Sequence, residues 1–411
     1  MRVLILSQYY APEPIPKPVE LAESLLARGH DVTVVTGFPN YPSGDLYAGY
    51  RLGLLRREAI NGVPVIRTFE YPYHGLNAIG RAANYLSFAA SAPLAASVVK
   101  RTDVIYVWHP PLTVGLPAWM LGVLCRAPFV YDVQDIWPDA AVDAGAFQHG
   151  PLTRVLHGLE RFVYRRAAHV ITATEPARAN LLSKGVPENK VTALPHWIDI
   201  DGWIGDAGAR DATRRSLGWD DRFVVLFAGN LGVLQGLDAV VRAARGFARD
   251  ERFRIVFVGD GSERARLETL AGAEGVADRV EFLARRPPGE MPALFAAADA
   301  LLIHLKQSQL AEWTVPTKTL AYMAAGRPII VAAGGPAAAL VREAGAGLAS
   351  RPEDPAALAQ VIRTMAATPC ADRQAMGLAG RAYIETHLTR GHVVPRYERL
   401  LELAAAGRSS R

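Results

Sequence analysis

The stretch Pro316-Thr-Lys-Thr-Leu-Ala-Tyr-Met-Ala-Ala-Gly-Arg-Pro-Ile-Ile-Val-Ala332 predicts a helix followed at once by a strand. Pro316 suits the first turn of a helix, because the N–H that proline lacks would have no partner there. Apolar residues then recur at helical spacing up to Gly326, which ends the helix before the apolar run 328–332. A helix start that carries Lys318 presents free N–H groups and a positive dipole to one point, which suits a diphosphate. An ordinary α/β helix has the same pattern, so the rest of the chain must decide between the two interpretations.

Strands and helices alternate along the whole chain of 411 residues, a length that predicts more than one domain. Two series of short apolar runs, separated by helical patterns, lie on either side of an aperiodic linker that begins at Pro195. This alternation predicts an α/β fold of two doubly wound, Rossmann-like domains with a cleft between them. The predicted domains are residues 1–198 and 199–390, and we expect residues 391–411 to form a helix that packs back on the first domain.

The composition is that of an ordinary soluble protein, with half of the residues apolar and a formal net charge of +5. The mild basic excess fits anionic small molecules or an acidic membrane surface, and no basic stripe interleaved with aromatics indicates nucleic acid. The chain opens directly on a strand, so we expect no signal peptide and a cytoplasmic protein, with both cysteines buried. The apolar stretches 84–99 and 112–125 are too polar or too short to cross a bilayer.

The turn after the first strand, Ser7-Gln-Tyr-Tyr-Ala-Pro-Glu-Pro-Ile-Pro-Lys-Pro18, has no glycine. The fingerprint Gly-x-Gly-x-x-Gly is therefore missing from the first domain, and so is a Walker A loop. Without that backbone cradle the first domain is not expected to hold a cofactor pyrophosphate.

The second domain has glycine turns where a ligand of an open α/β sheet would bind. One turn carries Gly229 and Gly232, with Asn230 and Gln235 as neutral donors. The next strand ends at Gly259-Asp-Gly261. Together with the helix start at Pro316, Thr317 and Lys318, these turns predict a phosphate site, although a plain strand-to-helix turn would look similar.

Seven motifs follow one another in the chain: Gly29-His-Asp-Val-Thr-Val-Val-Thr-Gly-Phe-Pro-Asn-Tyr-Pro-Ser-Gly44, Asn84-Tyr-Leu-Ser-Phe88, Pro110-Pro-Leu112, Asp132-Val-Gln-Asp-Ile-Trp-Pro138, Gly229-Asn-Leu-Gly232, Gly259-Asp-Gly261 and Pro316-Thr-Lys318. In this order they resemble the GT-B glycosyltransferases, in the large retaining family numbered four. The resemblance is closest to the subgroup that builds capsule, O-antigen and exopolysaccharide repeat units of the colanic-acid type. It implies that the second domain binds a nucleotide-sugar donor and the first domain an acceptor.

The resemblance also implies the chemistry. GT-B transferases use no metal, and the sequence shows neither Asp-x-Asp nor a His/Cys ligand cluster. No cofactor is expected beyond the nucleotide-sugar as co-substrate. Leaving-group charge would then be met by Lys318, the helix dipole and the glycine turns, with Lys306 as a weaker candidate. The implied acceptor is a polyprenyl-diphosphate-linked saccharide, taken at the cytoplasmic membrane surface, where the helical region 79–100 could rest.

On the acceptor side, His109 follows an apolar strand and resembles the histidine that relatives use to contact the transferred sugar or to stabilise charge. Trp108 is the alternative in the neighbouring register. Asp135 would orient or deprotonate the acceptor hydroxyl. Glu13 and Lys17 lie in the first loop, which faces the donor in relatives. A structural histidine, a turn-capping aspartate and ordinary loop residues are the alternative interpretations.

Two departures from the family pattern bear on this site. Asn230 and Gln235 stand where the wider family usually carries an Arg and a Lys, so Lys318 must supply more of the charge. The family's two glutamates, separated by seven residues, are also missing as a pair. The second falls on Ala321 and the first on or beside Trp313, with Glu312 one place away.

The sequence therefore predicts a retaining, metal-independent hexosyl- or N-acetylhexosaminyltransferase of surface polysaccharide biosynthesis. A nucleotide-sugar epimerase of the same fold and a non-catalytic sugar-binding protein are the alternatives. The sequence leaves open the donor base and sugar, the acceptor, the linkage and the oligomeric state.

Overall fold

The chain forms two compact units in a computed structural model that describes residues 1–75, 77–143, 150–205, 207–247, 250 and 252–407. The first unit comprises Met1–Pro195 together with the C-terminal segment from Val394 onward, and the second unit is His196–Val393. The predicted boundaries at residues 198 and 390 lie within a few residues of this division.

The first unit contains one eight-stranded sheet in the order β3-β4-β2-β1-β5-β6-β7-β8. All neighbouring strands are parallel except β3 and β4, which form an antiparallel hairpin. The strands are β1 Arg2–Ser7, β2 Asp31–Gly37, β3 Leu55–Ile60, β4 Val63–Thr68, β5 Val104–Trp108, β6 Phe129–Val133, β7 His169–Thr172 and β8 Val191–Ala193.

The second unit contains a six-stranded parallel sheet in the order β11-β10-β9-β12-β13-β14. Its core is a continuous apolar cluster between this sheet and the flanking helices. The strands are β9 Phe223–Ala228, β10 Phe253–Val258, β11 Val280–Leu283, β12 Ala300–His304, β13 Ile329–Ala332 and β14 Gly347–Ser350. The predicted pair of doubly wound α/β domains is therefore confirmed.

Helices connect the strands as crossover connections of parallel sheets require. The helices of the first unit are α1 Pro16–Ala27, α2 Ala78–Ser91, α3 Gly115–Leu124, α4 Asp139–Asp143, α5 Pro151–Arg166 and α6 Glu175–Ser183. Those of the second unit are α7 Ala207–Leu217, α8 Leu237–Ala243, α9 Arg264–Ala273, α10 Met291–Ala297, α11 Gln309–Trp313, α12 Thr317–Ala324, α13 Gly335–Glu343, α14 Pro355–Ala367 and α15 Cys370–Tyr383. The last helix is α16 Arg390–Ala406.

Helix α16 is attached to the first unit through Asp132 at the end of β6. The side chains of Tyr106 and Gln134 donate to the Asp132 carboxylate at 2.5 and 2.7 Å, and Tyr397 of α16 hydrogen-bonds to it as well. Burial raises the pKa of Asp132 to about 7 in spite of these hydrogen bonds. On the same helix, Glu398 accepts hydrogen bonds from the Arg28 and His30 side chains.

Two expectations need correction. The helix expected over 79–100 ends at Ser91 and continues as a 3₁₀ segment, Ala92–Ser97, because Pro93 has no N–H for the helical hydrogen bond. The cysteines are not buried, since Cys125 is partly exposed and Cys370 exposed.

In the described part of the chain, no helix combines the length and apolarity needed to cross a membrane.

Candidate active site

Two glycine turns of the second unit touch each other at the carboxyl edge of its sheet, one after β9 and one after the neighbouring β10. A Cβ on Gly259 would lie 2.0 Å from the carbonyl oxygen of Gly229, and one on Gly261 would lie 2.5 Å from that of Leu231. Gly259 and Gly261 also have φ values of 144° and 157°, which favour glycine. Any side chain at these positions would push the two turns apart.

The side chain of Asn230 lies between these turns. Its Oδ1 would lie 2.6 Å from a Cβ on Gly261, and its Nδ2 would lie 2.7 Å from a Cβ on Gly232. The two turns are also joined through the backbone, because the N–H of Leu231 donates to the carbonyl of Asp260 at 2.8 Å. The structure thus brings together the predicted glycines and Asn230.

Helix α12 places Lys318 beside the same turns. Its Nζ donates to Oε1 of Gln235 at 2.8 Å and lies 3.8 Å from the centre of the Phe227 ring. A Cβ on Gly229 would be 3.2 Å from this Nζ. The predicted association of Lys318 with the first glycine turn is therefore present in the structure.

Burial lowers the pKa of Lys318 to about 7, because the ammonium loses water and gains only neutral partners. Among the described residues Lys318 forms no ion pair; its contacts are the Gln235 amide and the face of the Phe227 ring. An ammonium held in this way is incompletely compensated, so an anion at the turns would find an unopposed positive partner.

Tyr322 fixes this helix face to the end of β9. Its hydroxyl accepts the N–H of Ala228 at 2.7 Å and donates to the carbonyl of the same residue at 3.1 Å. Tyr322 lies four residues after Lys318, so both side chains project from one side of α12. The sequence pattern did not single out Tyr322, although its spacing from Lys318 was a usable signal.

The start of α12 has no side-chain cap, and Pro316 occupies the N-cap position with Thr317 as the first helical residue. The predicted helix thus begins one residue later than expected. Lys306 lies against the other end of the first glycine turn, with its Cγ 2.9 Å from where a Cβ of Gly236 would be. Its backbone N–H donates to Leu234 at 3.0 Å.

Glu312 lies against the start of a different helix. One of its carboxylate oxygens is 2.3 Å from where a Cβ of Gly334 would be, and the other is 3.2 Å from the same point on Gly335. These glycines begin α13, and a carboxylate beside a helix N-terminus is favoured by the dipole. Glu312 therefore has a local structural role, and its assignment to donor binding stays a prediction.

In the first unit, His109 and Asp135 follow the neighbouring strands β5 and β6, and so lie at the carboxyl edge of the sheet. His109 is 1% exposed, and its Nδ1 has no hydrogen-bond partner among the described residues. Burial lowers the pKa of the His109 ring to about 3, so the ring is neutral and cannot stabilise charge as an imidazolium. Burial raises the pKa of Asp135, which is the direction that a base requires. The catalytic assignment of both stays a prediction.

Glu13 has a structural role in the first unit. Its carboxylate accepts the backbone N–H groups of Tyr10, Asn40 and Tyr41 at 2.9, 2.9 and 2.8 Å, and the residue is 5% exposed. A carboxylate used in this way fixes the first loop against the next, and a contact of Glu13 with the donor stays a prediction. Lys17 forms an ion pair with Glu20 at 3.0 Å within α1.

A buried polar cluster that no sequence pattern indicated lies at the carboxyl edge of the first unit's sheet. Oε1 of Glu70, which follows β4, accepts hydrogen bonds from the side-chain amides of Gln8, Asn40 and Asn84 at 2.9, 3.1 and 2.7 Å. All four residues are fully buried. Burial raises the pKa of Glu70 to about 8, so the carboxyl group is mainly protonated at pH 7. A Cβ on Gly37 would lie 1.7 Å from its Oε2, so this cluster requires the glycine that ends β2.

Comparison with known proteins matches both halves of the chain to glycosyltransferase families. Residues 18–197 match the model of the glycosyl transferase 4-like domain, and residues 209–383 match that of the glycosyl transferases group 1. The glycosyl transferase WcaI of Escherichia coli strain K12, named for colanic acid biosynthesis, is 29% identical over 81% of this chain and 83% of its own length.

Solved structures share the fold over nearly the whole chain. Anabaena Alr3699/HepE in complex with UDP-glucose has a TM-score of 0.73 and 19% identity, covering 98% of this chain and 99% of that one. WaaG, a glycosyltransferase involved in lipopolysaccharide biosynthesis, has a TM-score of 0.68 and 18% identity, with 98% and 99% covered. These similarities show that the architecture is the GT-B fold.

Replacing Tyr322 by phenylalanine is expected to destabilise the second unit by about 1–3 kcal/mol, because the buried N–H of Ala228 loses its partner. Urea unfolding measures the change. The matched control is Tyr383→Phe, whose hydroxyl donates to Glu343 at 3.0 Å at an exposed position. That control should change stability by less than about 0.5 kcal/mol. If both variants lost the same free energy of unfolding, the Tyr322 hydroxyl would not be what stabilises the packing of α12 against β9.

Replacing Glu70 by glutamine is expected to flatten the pH dependence of stability. A carboxyl group whose pKa rises from 4.5 when unfolded to about 8 when folded stabilises the fold fully below pH 4.5. That contribution is lost as pH rises towards 8, by at most about 1.4 kcal/mol per pH unit. Urea midpoints of the wild-type protein should therefore fall between pH 5 and 8 more steeply than those of Glu70→Gln. The exposed Glu188→Gln should keep the wild-type slope, and an unchanged slope in Glu70→Gln would contradict the buried neutral acid.

Proposed function

The chain belongs to the GT-B glycosyltransferases, and from this premise we propose that its second unit binds a nucleotide-diphosphate sugar whose sugar is passed to a saccharide hydroxyl. The observation that carries the proposal is the Lys318 ammonium, buried without an acidic partner beside glycine turns whose backbones touch. A diphosphate supplies the missing negative charge, and glycines let it approach the backbone closely. UDP-glucose bound to HepE, which shares the fold, supports a nucleotide-sugar as donor.

The acceptor we propose is a lipid-linked saccharide, carried on a polyprenyl diphosphate at the inner face of the cytoplasmic membrane. The support is the sequence similarity to WcaI, whose name refers to colanic acid biosynthesis. The transferred group would be a hexosyl or N-acetylhexosaminyl residue. In the first unit, the carboxyl edge with His109 and Asp135 would receive this acceptor.

We propose retention of the anomeric configuration. The bond between the sugar carbon and the diphosphate oxygen breaks, and the acceptor oxygen bonds to the same face of that carbon. The acceptor hydroxyl proton passes to the departing phosphate, so atoms and charges balance. Asp135 would orient the hydroxyl, and the neutral His109 ring would contact the sugar through a hydrogen bond.

Stabilisation of the leaving diphosphate is assigned to this chain's own groups, without a divalent cation or other cofactor. The ammonium of Lys318, the uncapped start of α12 and the backbone of the glycine turns all favour negative charge there. Because Asn230 and Gln235 are neutral, the basic side chains assigned to this role are Lys318 and, beside the same turn, Lys306.

Binding of a nucleoside diphosphate is expected to take up a proton. At pH 8 a lysine with a pKa of about 7 is largely neutral, and a bound diphosphate raises that pKa, so up to one proton enters the complex. At pH 6 the lysine is already charged and the uptake should approach zero. Titration calorimetry with UDP and GDP, in buffers of different ionisation enthalpy, measures this uptake.

The variant Lys318→Met should abolish the proton uptake and weaken binding at least tenfold, about 1.4 kcal/mol. Methionine keeps an unbranched apolar stem and removes the ammonium, together with its hydrogen bond to Gln235 and its contact with the Phe227 ring. Lys184→Met is the control, since that ammonium pairs with Asp139 and Glu160 in the first unit. The phosphate site is refuted if affinity and uptake are the same in both variants.

The protein is incubated with UDP-, GDP- and TDP-sugars and a lipid-linked acceptor. We expect transfer from one of these donors, at the same rate with and without EDTA. Asp135→Asn should lower the rate at least tenfold with little change in donor affinity, because it acts on the acceptor. Epimerisation of the donor sugar without an acceptor would contradict the proposal and indicate a nucleotide-sugar epimerase. Donor binding without turnover on any acceptor would indicate a sugar-binding protein.

A further inference from the structure

The four residues of the Glu70 cluster share a feature of the sequence, because a tyrosine directly follows each of them. The pairs are Gln8-Tyr9, Asn40-Tyr41, Glu70-Tyr71 and Asn84-Tyr85. Tyrosines make up only 14 of the 411 residues, so composition alone does not account for this arrangement. The amides of Gln8, Asn40 and Asn84 all donate to Oε1 of Glu70, so the cluster fixes the chain next to each of the following tyrosines.

Three of these tyrosines contact one another or His74. The ring centres of Tyr9 and Tyr41 are 5.1 Å apart, and that of His74 lies 5.7 Å from Tyr9 and 5.2 Å from Tyr41. The hydroxyl groups of Tyr9 and Tyr85 are hydrogen-bonded to each other. We refer to these four residues, Tyr9, Tyr41, His74 and Tyr85, as the aromatic cluster.

The aromatic cluster lies at the carboxyl edge of the first unit's sheet, the edge that carries His109 and Asp135. Tyr9 follows β1, Tyr41 follows β2 and His74 follows β4, and these strands are neighbours in the order β4-β2-β1. Strand β1 also pairs with β5, and His109 follows the end of β5. The fold therefore places the aromatic cluster at the edge to which the acceptor is assigned, on strands that adjoin the one leading to His109.

Aromatic side chains in contact more often fill a core than form a site, but this cluster differs from a core in two respects. Tyr41, His74 and Tyr85 are partly exposed, and only Tyr9, at 7%, is buried. Nε2 of His74 has no hydrogen-bond partner among the described residues. Burial lowers the pKa of His74, so its ring is neutral at pH 7 and can exchange a hydrogen bond with a hydroxyl group.

A pyranose ring matches the chemistry of the aromatic cluster. One face of a pyranose presents C–H groups, which pack on the face of an aromatic ring. Its rim carries hydroxyl groups, which exchange hydrogen bonds with tyrosine hydroxyls and with a neutral imidazole. A prenyl chain in the same place would leave those polar groups without partners. Aromatic rings with a few polar groups among them are also typical of small-molecule sites.

We propose that the aromatic cluster binds a pyranose ring of the saccharide acceptor on the ring of Tyr41, and that Glu70 is the positioning residue that holds the tyrosines in place. The inference rests on the proposed function and adds to it the residues that recognise the acceptor. These residues act on recognition, whereas Asp135 and His109 are assigned to the reacting groups. Acceptor affinity and the rate of transfer should therefore respond to different substitutions.

Saturation-transfer NMR of the full chain, without a donor, tests the aromatic cluster independently of turnover. The probes are the methyl α-glycosides of glucose, galactose, mannose and N-acetylglucosamine, and we expect the wild-type protein to bind at least one of them. Tyr41→Leu should weaken that binding about tenfold, because leucine has no flat ring. Tyr41→Phe keeps the ring and should weaken it by no more than about threefold. The matched control is Tyr383→Leu, which removes a tyrosine 4.7 Å from the ring of His387 in the second unit and should bind within about twofold of the wild-type protein.

The positioning role of Glu70 is tested in the transfer reaction. Glu70→Ala should raise the acceptor KM about tenfold with kcat and donor affinity nearly unchanged, because displaced rings weaken recognition and leave the reacting groups in place. Glu70→Gln should bring the acceptor KM back to within about threefold of the wild-type value, because its amide oxygen can accept the same three hydrogen bonds. A general loss of folded protein would instead lower kcat and leave KM unchanged. If Glu70→Ala does not fold, the acceptor KM of Tyr41→Leu decides the test.

The outcomes separate this inference from the proposed function. The inference is overturned if no glycoside binds the wild-type protein, or if Tyr41→Leu and Tyr383→Leu lose affinity equally. It is also overturned if transfer proceeds with an acceptor KM that neither Tyr41→Leu nor Glu70→Ala changes, and the transferase would then stand without it. Glycoside binding that depends on Tyr41, in a protein that transfers no sugar, would contradict the proposed function and support the aromatic cluster as a saccharide site.

Discussion

The candidate site of the second unit depends on the packing of one face of α12 against the carboxyl end of β9. Tyr322 holds both backbone groups of Ala228, and Lys318, four residues earlier on the helix, lies over the ring of Phe227 in the same strand. The ammonium is therefore positioned by secondary structure and not only by its flexible stem. The rotamer entropy of the lysine is lost on folding, so less remains to be lost when a ligand arrives.

Burying the Lys318 ammonium costs free energy, and the surrounding residues limit that cost. A buried ammonium with neutral partners is less stable than a solvated one, which is why the pKa of Lys318 falls to about 7. The amide of Gln235 and the ring of Phe227 compensate it partly without cancelling its charge, as a carboxylate would. Because Asn230 and Gln235 are neutral, no cation at these two positions repels the Lys318 ammonium.

The sequence was sufficient for the parts of the structure that rest on local pattern. Alternating apolar runs predicted both sheets, and the glycine turns with the start of α12 predicted which residues would meet. The hairpin of β3 and β4 was missed because β3 is a charged edge strand with no buried residue. The turn Asn61-Gly62, with φ values of 50° and 80°, carries the hairpin signal that the apolar pattern lacks. The Glu70 cluster was out of reach, because it joins polar residues from three strand ends and a helix that no sequence period connects.

The two edges of the first unit's sheet differ in where their charged groups lie. At the carboxyl edge, Glu13, Glu70 and Asp132 are buried, and burial raises the pKa of all three carboxyl groups. At the amino edge the arginines that precede β6 and β7 are exposed, where solvation keeps them charged. The formal net charge of +5 of the whole chain counts every carboxyl group as ionised, including those of Glu70 and Asp132, whose pKa values burial raises to about 8 and about 7. These buried carboxyl groups add little negative charge to the surface of the unit, whereas the arginines at the amino edge are exposed. That asymmetry follows from where the fold places each group and cannot be read from the composition of the chain.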